Sequence, residues 1–383
     1  MKSLRIVLAN GSMADYPQGG GHWTCPLQHL FGLAALGHNV FWMELMWSTN
    51  QPARDRRLVD VFFRRFQRYG FGGRCALLLF KKKDEALKIE SAEIYGKSHE
   101  QVRQLAREAD LLWNFCCTLR QPLLGLFRHR VLIDLDPGVL QVSALQWDLG
   151  IQDHQTFFTT GVKLHDPDCE VPRLGLHWRP FLPVVHLPDW PVVPDPGSQA
   201  PFSTVTQWNW SEVWLESRVL STSKRDAYLR YLELPRRVAR PLELAVNLDH
   251  DGDRASLHAA GWRLVHPHRV ARTPAGYRQY IQRSRAEFAC PKPIYRELKT
   301  GWFSDRSACY LASGRPVLAE DTGFSDHLPT GKGLMAFHDM DEAVAGIDRI
   351  DADYESHSRA ARAFAEEFLD ARKVLPAMLE ACG

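Results

Sequence analysis

RAEFACPKPIYRELKTGWFSDRSACYLASGRPVLAEDTGF, residues Arg285 to Phe324, carries a complete strand, helix and strand pattern. Glu287 to Ala289 is a short run of buried-strand character. Gly301-Trp302-Phe303-Ser304-Asp305 reads as a loop running into a helix over Ser307 to Ser313, Gly314 ends that helix, and Pro316 to Ala319 is the next strand. Such a unit builds a parallel sheet, because parallel neighbours need a crossover connection. Its loops lie at the carboxyl ends of strands, where helix N-termini point free N–H groups into a crevice. The helix start around Ser304 to Ser307 thus offers backbone donors, two hydroxyls and the Arg306 cation, a ready site for an anionic diphosphate.

The pattern repeats outward. In the C-terminal half, Phe202 to Gln207, Leu242 to Asn247 and Trp262 to His266 read as strands, with helices at Lys224 to Leu232 and Pro274 to Arg283. In the N-terminal half, Leu4 to Ala9 is a strand, the turn-rich NGSMADYPQGGGHW follows, and a helix is predicted from Pro26 to Leu36. His38 to Glu44, Leu77 to Phe80, Leu111 to Phe115 and Val131 to Leu135 continue the sheet. Gly19, Gly20 and Gly21 allow close backbone approach, but neither a dinucleotide fingerprint nor a P-loop is present. His22 stands just before the predicted helix, where an imidazole titrating near neutral pH can take a hydroxyl proton. Asp136, in a turn before Pro137 and Gly138, is positioned to orient His22 or a sugar hydroxyl; the alternative is a solvated cap. Asp55 to Tyr69 is a basic amphipathic helix, read mainly as one that packs its phenylalanines inward.

At about 150 residues per domain, 383 residues imply two or three units, and two are expected. Seven prolines between Pro180 and Pro201 mark the connector, giving domains at 1–185 and 201–365, a linker at 186–200 and a last helical segment at 366–383. Lysine and arginine number 47 against 45 aspartates and glutamates, a balance that argues against disorder and against a nucleic-acid-binding surface. No apolar run is long enough to span a bilayer, so stable membrane insertion is not expected. Eight cysteines without C-x-x-C spacing read as reduced thiols of a cytoplasmic protein, with no metal site.

L-A-S-G-R-P-V, Leu311 to Val317, resembles the segment of GT-B glycosyltransferases where a helix closes on a glycine before the strand leading to the donor-sugar loop. The larger block GWFSDRSACYLASGRPVLAEDTGF, with KGLMAF beyond it, resembles a bacterial group of family-1-like glycosyltransferases, and shorter pieces (GGGHW, DPG, HWRP, LPRR, GWRLVHP) extend the likeness over most of the chain. The resemblance implies an α/β chain of two Rossmann-like domains facing across a cleft, with a nucleoside diphosphate sugar held by the second domain as co-substrate and no further cofactor. It implies a small-molecule or carrier acceptor on the first domain, and no nucleic acid. Lys224 and Lys292 match lysines of related sequences and become phosphate partners; His266 ends a strand where such folds hold the base. Asp321 and Thr322, with Gly323 in the same loop, would bind donor hydroxyls, the alternative being that the acidic pair caps the next helix. Trp302 is placed with the donor and Phe303 in the core. Retaining members carry two glutamates around this loop; here those positions are Gly301 and Cys309. His22 resembles the base of inverting members, with Asp136 as its partner. A nucleotide-sugar epimerase and a catalytically silent nucleotide-sugar-binding protein are the alternative functions.

Overall fold

The computed structural model describes residues 2–81 and 86–382. Apolar runs bounded by polar turns form two sheets. The first contains β1 (Arg5–Asn10), β2 (Asn39–Trp47), β3 (Cys75–Phe80), β4 (Glu93–Tyr95), β5 (Leu111–Phe115), β6 (Arg130–Asp134), β7 (Thr156–Thr159) and β8 (Trp178–Pro180). Its order is β4-β3-β2-β1-β5-β6-β7-β8, parallel except for β4. Then come β9 (Phe202–Thr206), a hairpin of β10 (Glu212–Leu215) and β11 (Arg218–Ser221), β12 (Leu242–Val246), β13 (Arg263–Val265), β14 (Ala286–Ala289), β15 (Val317–Glu320) and β16 (Leu334–Phe337). The second sheet runs β13-β12-β9-β14-β15-β16 and is wholly parallel. Strand order reverses at β1/β5 in one sheet and β9/β14 in the other, the switch points where ligands bind beyond the strand ends.

The first helix departs from its expected limits. It spans Gly20–Ala35 with Gly19 as its N-cap, so Gly20, Gly21 and His22 form its first turn instead of a preceding loop. Pro26 lies inside it and removes only one backbone bond, the one its missing N–H would have made to the carbonyl of His22. The basic helix Pro52–Arg68 buries Val59, Phe62 and Phe66. Arg65 lies 4.4 Å over the Trp23 ring and donates to the Pro17 carbonyl at 2.6 Å, which ties this helix to the glycine segment.

After β8 the chain has only a short 3-10 turn, Leu187–Asp189, before β9. The end of the chain forms helices Met340–Ala352 and Tyr354–Phe364, a π-helical turn at Ala365–Leu369 and a helix at Ala371–Glu380. At the π turn, Val185 N–H donates to the Leu369 carbonyl at 2.8 Å and Ala371 N–H to the Val185 carbonyl at 2.9 Å, joining the two crossings. The last helix buries Ala371, Leu375, Met378 and Leu379 in the same core as Trp23, Leu30 and Leu33. Gly32 makes this approach possible: a β-carbon there would lie 2.5 Å from Leu375 Cδ1 and 2.7 Å from Ala371 Cβ. Gly32→Val is therefore expected to destabilise the fold by about 1–3 kcal/mol through overpacking, read as a lower urea midpoint.

Candidate active site

The two switch points face each other across a crevice. On the first wall, Glu44, inside β2 and level with the last residue of β1, is fully buried and accepts from Met13 N–H at 2.7 Å, Ala14 N–H at 2.9 Å and Trp42 Nε1–H at 2.9 Å. Burial raises its pKa to about 8, against the opposing pull of those three donors. This anchor holds the loop carrying Ser12, whose hydroxyl oxygen lies 2.7 Å from His22 Nε2. His22 is exposed at the crevice edge, yet surrounding protein strips enough water from it to lower its pKa, opposed by Asp15 and Asp305. Cys116 and Cys117 both adopt positive φ, 49° and 56°, directly after β5, with Cys116 exposed toward the crevice and Cys117 buried. Asp134, buried at the end of β6, accepts from Gln141 Nε2 and Thr159 Oγ1, both at 2.8 Å, and burial lifts its pKa to about 6. Asp134 also accepts from the Asp136 N–H, setting the turn that presents Asp136.

The second wall is cationic. Lys292 pairs with Asp136, and Tyr295 Oη–H donates to the same carboxylate. Arg306 pairs with buried Glu287 at the floor and donates to the Val205 carbonyl at 3.2 Å; its second terminal nitrogen, Nη2, is buried without a partner among the described residues. Lys224 starts the helix Lys224–Leu229 with its ammonium 5.6 Å from the Trp302 ring centroid. Burial first, then Arg306 and Lys292, push its pKa down to about 7. At the inner end, Cys25, His29, Thr160, Trp302, Phe303 and Asp305 enclose a cavity of about 20 Å³, room for a single water.

Several sequence expectations meet a different geometry. Asp136 is held by Lys292 and Tyr295 across the crevice, and the carboxylates that act on His22 are Asp15 and Asp305, because the first helix turns His22 toward the loop after β1. Ser304 is only 4% exposed and caps its own helix, accepting from Arg306 N–H at 3.2 Å. Ser307 Oγ is buried and, among the described residues, without a hydrogen-bond partner. Arg306 is not a free phosphate cation, since Glu287 engages its Nε. Asp321 accepts from Gly323 N–H, Ser325 N–H and Ser325 Oγ–H, so it caps the following turn, as in the alternative reading. Thr322 Oγ1–H donates to the Trp302 carbonyl at 2.7 Å, bracing that loop, and Gly323 adopts a left-handed conformation. His266 is exposed and accepts from His268 N–H through Nδ1. Gly20 N–H donates to the Ala271 carbonyl at 3.0 Å, so the glycine segment docks onto the second half instead of lying open to a ligand. Trp302, whose ring lies tilted by 31° with its centroid 4.5 Å from that of Tyr295, remains on the crevice wall. The sequence reading missed Glu44, Cys116 and Tyr295. Only a carboxylate inside an otherwise apolar strand, Glu44, left a signal that could have been noticed.

No protein-family model matches the sequence, and no curated protein matches it. Solved structures do. Anabaena Alr3699/HepE in complex with UDP-glucose aligns over 99% of both chains with a TM-score of 0.57 at 11% identity. An alpha-glucosyltransferase in complex with UDP-glucose and DNA containing an abasic site aligns over 99% of both chains with a TM-score of 0.58 at 10% identity. The chain has the GT-B fold. AviGT4, a glycosyltransferase involved in Avilamycin A biosynthesis, covers 99% of this GT-B chain and 97% of its own length with a TM-score of 0.53 at 12% identity. These likenesses overturn the exclusion of nucleic acid: similar glycosyltransferases were solved in complex with DNA. The error lay in reasoning from net charge, since a local patch, and not the sum over 383 residues, governs contact with a polyanion.

Glu44 allows a test of the first wall of the GT-B crevice. Its raised pKa means the folded state holds a proton that the unfolded state releases, so this contribution to stability is full at low pH and lost as pH rises toward about 8. Glu44→Gln should flatten that slope in urea denaturation compared at about pH 5 and about pH 8. Glu44→Leu leaves two loop N–H groups unpaired and should cost about 1–3 kcal/mol.

Proposed function

We propose that the chain is a glycosyltransferase moving a sugar from a nucleoside diphosphate sugar, with UDP as the nucleotide, to an acceptor hydroxyl. The observation that carries this reading is the cation cluster of Lys224, Lys292 and Arg306 at the strand ends of the second sheet. Two carboxylates, Asp136 and Glu287, pair with two of these cations, while among the described residues Lys224 makes no ion pair. Uncompensated positive charge in a partly dehydrated crevice is costly without an anion and favourable with one. Similar folds solved with UDP and UDP-glucose add support.

His22 acts in this reading as general base. Its depressed pKa leaves the ring neutral near pH 7. The acceptor hydroxyl takes the place of Ser12 Oγ beside Nε2 and gives its proton to the ring. The resulting oxygen forms a bond to the anomeric carbon as the bond to the diphosphate oxygen breaks on the opposite face. The leaving diphosphate gathers negative charge, which Lys224 and Lys292 stabilise in place of a metal ion.

UDP should raise the thermal midpoint, and the gain should be larger near pH 6.5 than near pH 9, because Lys224 loses its charge as pH rises through about 7. Lys224→Met should weaken UDP binding roughly tenfold to a hundredfold and remove most of that pH dependence. His22→Ala should cut turnover by about 10²–10⁴ with UDP stabilisation intact. A product that retains the donor's anomeric configuration, or an unchanged rate, would remove His22 from the role of base.

A further inference from the structure

The two halves carry exposed apolar surface that the core does not use, close to where Gln146 meets the β10–β11 hairpin. Trp147, Trp210 and Trp214 are 69%, 59% and 53% exposed, beside Leu145 at 54% and Val219 at 45%. Single exposed aromatics are ordinary, but a group contributed by both halves around one opening marks a binding surface. The β10–β11 hairpin builds its centre. Trp214 pairs directly across from Val219 on the outer face, while Val213, Leu215 and Leu220 turn inward onto a cluster with Ile294 and Leu298. The hairpin is therefore fixed from below and presents its indole outward. Gln146 Nε2–H donates to the Trp214 carbonyl at 2.7 Å and brings Leu145 to Asp148 of the first half alongside. Trp210 leads back into the crevice: the Lys292 ammonium lies 5.8 Å from its ring centroid, and the same ammonium pairs with Asp136. Trp210 thus stands beside the cation cluster, and Trp214 follows it four residues on in the hairpin.

The charges around this surface select its occupant. Glu212 and Glu216 are exposed on the hairpin and Asp148 beside Trp147, whereas the hairpin's Arg218 is engaged by Glu170. An acidic fringe repels a phosphate backbone or an anionic lipid face at close range. A pyranose ring suits it better. Its axial C–H groups form a flat apolar face that lies on an electron-rich indole, and its hydroxyls stay at the edge in water with no charge to desolvate. Resting on the transferase reading above, we infer that the acceptor is an uncharged saccharide chain whose rings lie on Trp147 and Trp214 while its terminal hydroxyl enters the crevice past Trp210. The hairpin then belongs to acceptor selection and the cation cluster to the donor.

The test is titration of the full chain with short neutral gluco-, galacto- and manno-oligosaccharides, followed by calorimetry and tryptophan fluorescence, with UDP-induced thermal shift measured on the same samples. At least one saccharide series should bind the wild-type protein. Trp214→Ala and the double variant Trp147→Ala/Trp214→Ala should weaken that binding by about tenfold or more, with an unchanged UDP shift. Both side chains are exposed, so a retained UDP shift also certifies the fold of the variants. Equal saccharide affinity in the variants would overturn the inference. So would a wild-type protein that binds no saccharide, or whose Trp-dependent binding is to single-stranded oligonucleotides or phosphatidylcholine vesicles instead. UDP stabilisation without saccharide binding would remove only this inference; no UDP stabilisation at all would remove the transferase reading, and the acceptor role with it.

Discussion

Three cations and two carboxylates meet where the two sheets face each other, and the remaining positive charge is the constraint around which the crevice is arranged. Arg306 is neutralised at the floor by Glu287, a carboxylate with no exposure, and its Nη2 is buried without a partner among the described residues. Lys292 is neutralised from across the gap by Asp136. Lys224 has an aromatic neighbour and, among the described residues, no ion pair; burial first, then Arg306 and Lys292, lower its pKa against the pull of Asp305 and Glu287. Such an arrangement persists in a fold only when the surrounding structure holds it in place.

That support is visible on both sides. Glu44, inside β2, and Asp134, at the end of β6, are buried carboxylates that each accept three hydrogen bonds; those of Glu44 hold the loop after β1 and those of Asp134 the turn after β6. Across the seam, Lys163 pairs with Asp326 and His327 with Asp166 at 2.7 Å, while Lys163 N–H donates to the Thr300 carbonyl at 3.2 Å. The docking is close enough that a β-carbon on Gly20 would collide with the carbonyl oxygens of Ala271 and Thr273. The glycines serve the fit between halves, which is a different use of conformational freedom from cradling a phosphate.

Much of the sheet architecture was legible in the chain. LRIVLA, LLWNF and LELAVN announce buried parallel strands because both faces of such strands are covered, and each lies within a residue of its place, while Leu77 to Phe80 begins two residues late. Thr156–Thr159, Trp178–Pro180 and the β10–β11 hairpin escaped notice: they are short, and the hairpin alternates polar and apolar residues over only four positions per strand. Of the candidate site, the basic residues of the second half could be picked out by type and resemblance. Their partners could not, since Asp136 and Lys292 are 156 residues apart in sequence.

What the sequence determined by itself is the alternation of strand and helix, and with it two doubly wound sheets, because hydrophobic periodicity and turn residues act over a few neighbouring positions. Which side chains remain unsatisfied was decided only in three dimensions. Ser304, Arg306 and Asp321 look free on paper, and each is taken up by a local or buried partner, whereas Lys224 makes no ion pair among the described residues. Charge compensation depends on distance and dehydration, and both are set by how the two sheets close on each other.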